Sequence, residues 1–412
     1  MQGQGPWSPL RVRVFRSLWI AALVSNVGTY MHIVAAGWAM TNLSDSPTLV
    51  GLVSTMWAVP GFLLALHAGA LADMIDRRRL ITLTQIAALA VAGALGLLVW
   101  IDQLSVTSLL IGTFLESVAL TLAAPAFMAL TPQLVDAGHL PQAIGLDAVS
   151  RNISQTIGPA LAGAVIAVFN PGAVFLLNAV SFVGVVIVVR RYRPPRSIGT
   201  RPSTMNSAIG EGLRHIVAST QLRNIALRVT IISTTTASLA AMLPVVARKS
   251  LHVSANGFGL LSGAMGIGSV LAVWVLPTIR VRTSIETTVF GAAAVWSAGT
   301  ALFANTAQLW VAVIALVICG AGMMAMLNAL FSTFTVQLPD RVRGRGSSLA
   351  MLTVWLGASI GALGWGLVAS AYGVSAALTA AAIVNGIAAV ISRWALPIGK
   401  VLPFSVGSHE SG

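Results

Sequence analysis

The chain has 412 residues, of which 56% are hydrophobic and only 8% charged, where a soluble domain carries about 25% charged residues. A chain this apolar lacks the polar surface to cover a soluble core, so its excess apolar surface must face lipid. The formal charge of +13 would suit a nucleic-acid binder by number alone, but its distribution along the chain excludes that reading.

Apolar runs of about 20 residues, the length that crosses a bilayer, fall in order at about 18–40, 49–72, 80–100, 106–130, 143–168, 173–190, 224–246, 256–279, 285–304, 309–334, 347–370 and 374–396. Backbone in hydrocarbon must satisfy its own hydrogen bonds, which makes these runs helices. The short alternating segments of an outer-membrane barrel are absent. With an even number of spans and a cytoplasmic N-terminus, the inner loops collect the cations. These are Arg11, Arg13 and Arg16; Arg77, Arg78 and Arg79; the basic residues of 190–228; Arg280 and Arg282; Arg341, Arg343 and Arg345; and Arg393 and Lys400. The outer loops hold only Arg248 and Lys249, and Arg151 lies within a span. This positive-inside asymmetry predicts an inner-membrane protein with both termini in the cytoplasm. The charge is topological, with attraction to anionic lipid headgroups as a bonus.

The first apolar stretch follows Arg16 directly and is too long for a signal-peptide core, so an uncleaved first span is expected. Cys319 is the only cysteine and lies inside a span, which excludes an intramolecular disulfide. There is no Cys/His metal cluster, no phosphate-binding loop and no nucleophile–base pair. No metal, cofactor or enzymatic activity is expected, and the expected partners are a small-molecule substrate, protons and the bilayer around a monomer.

The longest non-apolar stretch, 190–223, is Arg-rich with Pro194, Pro195 and Pro202, and reads as a solvated cytoplasmic linker with a surface helix near 206–220. It separates residues 1–189 from 224–400, with a tail at 401–412. The two parts resemble each other at an offset of a little over 200 residues. Gln133-Leu134-Val135-Asp136 corresponds to Gln337-Leu338-Pro339-Asp340, Gly158 and Gly163 to Gly361 and Gly366, and Gly51-Leu52 to Gly259-Leu260. The expected fold is therefore an all-α membrane protein of twelve transmembrane helices in two pseudo-symmetric six-helix bundles, with substrate bound between them.

The loop after span two reads Gly69-Ala-Leu-Ala-Asp73-Met-Ile-Asp76-Arg77-Arg78-Arg79. A small residue at Gly69 lets helices approach, Asp73 suits a helix N-terminus or an Arg partner, and the arginines anchor the inner side. Span five reads Ser154-Gln155-Thr156-Ile157-Gly158-Pro159-Ala160-Leu161-Ala162-Gly163. Pro159 removes a backbone donor and frees the carbonyl of Gln155, and the glycines permit a bent, closely packed helix.

These motifs resemble, respectively, the signature loop of the major facilitator superfamily and the Gly-Pro motif of its exporter branches, with Asp76 replacing a Gly and Ser154 standing at the first Gly position. Asn26-Val-Gly28-Thr29-Tyr30-Met31-His32, Gly37-Trp38, Ser46-Pro47, Ala124-Pro125-Ala126 and Arg341-Val-Arg343-Gly344-Arg345 resemble the bacterial secretion-effector branch, which includes proteins similar to the enterobactin exporter. The resemblance covers nearly the whole chain. It implies the major facilitator fold and efflux, and leaves the cargo open. It also assigns Gly69, Asp73, Arg77, Arg78, Gly158, Pro159 and Gly163 to gating. Where relatives carry Asn-x-Ala-Arg in span five, this chain has Asn152-Ile153-Ser154-Gln155, and its arginine, Arg151, lies before Asn152.

An ionisable group inside a span costs about 2.5–3.5 kcal/mol on insertion scales and so needs a reason. Glu116 in span four suits three roles: a proton carrier, a contact for a cationic substrate group, or a neutral carboxyl bonded to a neighbouring helix. Asp147, Arg151 and Gln155 share one face of span five. They read either as a cavity wall with a switching ion pair or as a structural ion pair near the cytoplasmic end. In the superfamily, spans one, four, seven and ten line the cavity. The resemblance thus makes Asn26, Tyr30, Glu116, Thr234 and Asn328 the leading substrate contacts, with His32, Arg151, Asn152, Gln155 and Phe331 as further candidates. Glu116, Asp147 and Arg151 are the candidates for proton coupling. The leading functional expectation is export of small organic molecules by proton antiport. Uptake or facilitated diffusion is the alternative within transport, and a lipid flippase or non-transporting sensor is the alternative outside it. Coupling is expected in the first half, because the second shows mostly uncharged polar spans.

Overall fold

The computed structural model describes residues 5–192, 219–338 and 343–398. The expected linker helix, the tail and the side chain of Asp73 lie outside the described residues, except that the first helix of the second half already starts at Thr220. Twelve long helices follow one another: α1 (Arg13–Leu43), α2 (Pro47–Met74), α3 (Arg77–Trp100), α4 (Val106–Leu130), α5 (Leu140–Val168), α6 (Pro171–Arg191), α7 (Thr220–Val245), α8 (Ala255–Arg282), α9 (Ile285–Ala304), α10 (Leu309–Val336), α11 (Arg343–Tyr372) and α12 (Val374–Ala395). Eleven are long and apolar enough to cross a membrane. The exception is α5, whose polar stripe of Asp147, Arg151, Asn152 and Gln155 lowers its hydropathy.

Local chemistry sets the helix starts. Asp76, at the position where the signature loop has glycine, caps α3 by accepting from the backbone N–H of Arg79 at 2.9 Å. Ser105 and Ser108 form a reciprocal capping box at the start of α4. Pro47 and Pro171 occupy the first turns of α2 and α6, where a missing N–H costs no helical bond.

Packing in α1–α6 repeats in α7–α12. Helix α1 packs on α5 and α6, α3 on α4 and α6, and α2 on α4; the same pairs recur with every index raised by six. Two crossings join the sets, α2 with α11 and α5 with α8. At both, glycines let backbones meet. A Cβ on Gly163 would lie 2.6 Å from the Cα of Gly259, and one on Gly51 would lie 2.6 Å from Ala362 O and 3.4 Å from the Cα of Gly366. The glycines that matched each other across the repeat in sequence therefore meet crosswise in space: Gly51 and Gly259 are repeat mates, and each touches the other pair's member.

The crossings are tight only toward the end away from the described termini. Along α2, a Cβ would clash at Gly51 and at Gly61, against the Trp355 ring, but would meet nothing within 4 Å at Gly69. Among the described residues nothing therefore presses on Gly69 as Ala362 and Trp355 press on Gly51 and Gly61. The core shows the same contrast. Met31 to Met40 of α1, Val50 and Val53 of α2, and Ala162 and Ile166 of α5 belong to one large cluster with α7–α12. Phe15, Leu18, Ala72, Ala143 and Leu146, nearer the termini, form a separate cluster with other residues of the first half.

Candidate functional site

Where the crossings converge, a cavity of about 300 Å³ lies between the two sets of helices. Tyr30 of α1, Trp57 of α2, Phe258 of α8 and Trp355 of α11 supply aromatic surface from both sides, with Met265 beside them. Ser54, Thr113, Gln155, Ser262 and Ser269 supply neutral polar groups. Among the described residues no acidic or basic side chain lines it. The contributing helices are α1, α2, α4, α5, α7, α8 and α11. Helix α10, expected to line the cavity, contributes nothing to it in this closed-end geometry, because it packs outward against α8 and α9.

One helix layer behind the cavity lies a polar cluster with no solvent contact. His32 of α1 and Glu116 of α4 are both fully buried, with Nδ1 and Oε2 3.0 Å apart. Asn178 of α6, also fully buried, donates from Nδ2 to Glu116 Oε1 at 2.7 Å. The ring N–H of His32 is not aimed at the carboxylate. Both ring nitrogens and Glu116 Oε2 are left without an aligned hydrogen bond. The ring is held by Phe175 at 4.6 Å and Trp57 at 6.4 Å between centroids. Gly28 admits the cluster, since a Cβ there would lie 2.7 Å from Asn178 Oδ1. Trp57 thus touches His32 on one side and the cavity on the other.

The second half carries the matching asparagine without the charges. Asn385 of α12, 207 residues after Asn178, accepts from Thr235 at 2.9 Å and donates to Ser297 Oγ at 3.1 Å and Ala293 O at 3.3 Å. Neither asparagine stood out in sequence. The signal available was a lone Asn in an apolar span recurring at the repeat offset. The charges of the second half lie elsewhere. Arg228, grouped with the inner loops by sequence, is 2% exposed within α7 and pairs with Glu286 at 2.7 Å and with Ser392 O. Glu286 also accepts from the backbone N–H of Ile398 at 3.1 Å. The expectation of an essentially uncharged second half is corrected by this pair, which straps α7, α9 and the chain after α12 together.

On α5 the polar stripe is arranged differently from either sequence reading. Asp147 accepts from Thr131 at 3.2 Å, and no salt bridge joins it to Arg151. Arg151 is exposed and has no carboxylate within 4 Å among the described residues. Ser154 turns inward and donates to the carbonyls of Ser150 and Leu23. Gly158 presses on α1 at Tyr30 and Val27 O, while Pro159 O lies against Gly259.

In the signature loop, Arg77 donates to Ala129 O at the end of α4, and Arg78 to Val189 O and Arg190 O at the end of α6. The cations satisfy helix C-terminal carbonyls, where the helix dipole favours them. At the opposite end, the two outer-loop cations clasp the halves. Lys249 pairs with Asp45 at 2.8 Å, and Arg248 donates to Thr41 and Asn42 and lies 5.9 Å from the Trp38 ring centroid. Trp38 itself stacks on Phe258 at 5.3 Å.

Of the sequence candidates for substrate contact, Tyr30 and Gln155 line the cavity. His32 and Glu116 meet behind it. Asn26 faces α5 through Ser150 at 3.4 Å, Thr234 bonds its own helix at the α7–α11 contact, and Asn152, Asn328 and Phe331 lie off the cavity.

A family described as transmembrane secretion effector matches residues 4–403. The staphyloferrin A transporter of Staphylococcus aureus is 25% identical over a stretch covering 61% of this chain and 64% of that protein, just under two thirds of its length. Macrolide efflux protein A of Streptococcus pyogenes is 23% identical over 47% of each chain. Among solved structures, a bacterial homologue of the human lysosomal transporter Spinster in an inward-facing, unoccupied conformation superposes with a TM-score of 0.74 at 16% identity, covering 93% of this chain and 95% of that one.

Proposed function

The chain belongs to the transmembrane secretion effector family of major facilitator transporters, and from that membership and the cavity we propose that it exports small organic molecules across the inner membrane by proton-driven alternating access. In this reading the twelve helices all span, as two six-helix bundles with both termini in the cytoplasm. The carrying observation is the buried His32–Glu116–Asn178 cluster, which lies beside Trp57, a residue that lines the cavity. The geometry with the terminal end diverged and the far end clasped is the inward-open state. Protonation of the cluster neutralises Glu116 or charges His32. Either change alters how α1 and α4 pack, and Trp57 passes the change to bound cargo. Two bundles that meet at glycine crossings can rock about them, opening the far end as the terminal end closes.

The relatives' printed cargoes, staphyloferrin A and macrolides, supply the first compounds to try. Inside-out membrane vesicles energised acid inside should accumulate an exported compound, and Glu116→Gln vesicles should not. Gradient-driven accumulation in the opposite vesicle orientation would overturn export, and undiminished accumulation in Glu116→Gln would overturn the coupling role.

A further inference from the structure

Among the described residues the cavity's walls hold no carboxylate and no basic side chain, and the fully buried Glu116 does not line it. The nearest unpaired charge is Arg151. Helical geometry settles which way it faces. Gln155 and Pro159, four and eight residues on, both line the cavity, so Arg151 continues the same stripe one turn toward the open end. Ile153 and Ile157, the exposed apolar residues of this stretch, lie on the opposite side of α5, where lipid would be.

An arginine at this depth needs a counter-ion. Asp147, one turn away on its own helix, accepts from Thr131 instead, and no salt bridge joins it to Arg151. The remaining wall is aromatic: Tyr30, Trp57, Phe258 and Trp355. Resting on the transport reading above, we infer that the cargo is an aromatic organic anion, its ring system held among these four side chains and its carboxylate or equivalent group paired with Arg151. A guanidinium fork binds a carboxylate through two parallel hydrogen bonds, and flat rings gain most from Trp and Tyr faces. A cationic cargo would meet Arg151 as a like charge with no acid in reach to offset it.

Three ligands of one shape and different charge test this: naphthoate, neutral naphthol and naphthylmethylammonium, titrated calorimetrically into the full-length protein in nanodiscs, with empty nanodiscs as the partition control. Naphthoate should bind more tightly than naphthylmethylammonium by about tenfold or more, the order that one charge-assisted hydrogen-bonded pair supplies. Arg151→Gln should erase that preference while leaving naphthol binding unchanged, which also shows the variant is folded, and Arg151→Lys should keep most of it. Equal or tighter binding of the cation, or a preference that survives Arg151→Gln, overturns the inference. If all three ligands bind alike and Trp355→Ala weakens all three, the cavity stands as the binding site and only the anion assignment falls. If none binds above the empty nanodiscs, the cavity reading falls with it.

Discussion

Asn178 and Asn385 occupy repeat-related places in α6 and α12, and each ties its helix to neighbours, yet their surroundings differ. Asn178 holds a carboxylate that sits against an imidazole. Asn385 holds two hydroxyls and a backbone carbonyl, none of which titrates between the two sides of a membrane. The second half does contain a buried cation, but Arg228 is locked to Glu286 and Ser392 away from the cavity. The same scaffold thus carries a chargeable cluster in one half and a neutral clamp in the other. On the proposed function, the comparison supports placing coupling in the first half and rigidity in the second.

Breaking the rigid side should have the largest effect on stability. Arg228→Ala leaves Glu286 without its partner, a loss of about 3–5 kcal/mol for a buried pair. Thermal unfolding of the purified protein should show a large drop in midpoint, with the pH dependence of transport in surviving protein unchanged. An unaltered midpoint would mean the second half does not depend on this strap. The crossing between the halves comes next. Gly163→Leu overpacks the Gly163–Gly259 contact, at about 1–3 kcal/mol for a forced fit, and should favour the state in which the far end is open. A thiol reagent should then label Thr41→Cys, buried at the far end, faster in the Gly163→Leu background than in the parent.

The paired asparagines sharpen the comparison most. Asn178→Ala removes one interhelical side-chain hydrogen bond and Asn385→Ala three, worth about 0.6 kcal/mol apiece on average in membranes, so the unfolding midpoint should fall slightly in the first and somewhat more in the second. Only Asn178→Ala should move the pH profile of transport. Equal shifts of the profile in both variants would erase the distinction between the halves. The smallest effect is expected at the clasp. The Lys249 ammonium, by hydrogen bond and then by charge, holds the exposed Asp45 carboxyl below the usual carboxylate range. That contribution to the clasped state is complete above the ordinary carboxylate pKa and is lost as pH falls through the lowered value. Being exposed, it should also weaken with added salt. Far-end accessibility, read by labelling a reporter cysteine at Asn42, should rise under both conditions, and Asp45→Asn should abolish the pH part.

Most of the architecture was legible because lipid imposes it. Spans announce themselves by length and apolarity, and the repeat offset matched Gly51 with Gly259 and Gly163 with Gly366. Their crosswise meeting was not legible, since sequence shows equivalence and not contact. Glu116 stood out because a carboxylate in a span is costly. His32 was ambiguous, because nothing in α1 says what α4 brings to it, and Asn178 was hidden as a single neutral side chain in an apolar run. Arg228 was misplaced for a physical reason: a cation near a span end obeys the positive-inside pattern whether it faces solvent or is folded back into a pair. Asp147 and Arg151 share a face as their spacing requires, but a helix face does not dictate partners, and Thr131 captured the carboxylate.

The central claim is that the His32–Glu116 pair gains and loses a proton under working conditions while its counterpart in the second half cannot. Infrared difference spectroscopy of the purified protein across a pH titration reads this directly through the protonated-carboxyl C=O band. A buried-carboxyl band should grow as pH falls, vanish in Glu116→Gln, shift in His32→Gln, and remain unchanged in Asn385→Ala. A band that persists in Glu116→Gln, or a spectrum of the parent protein without any pH-dependent buried carboxyl, would contradict the account.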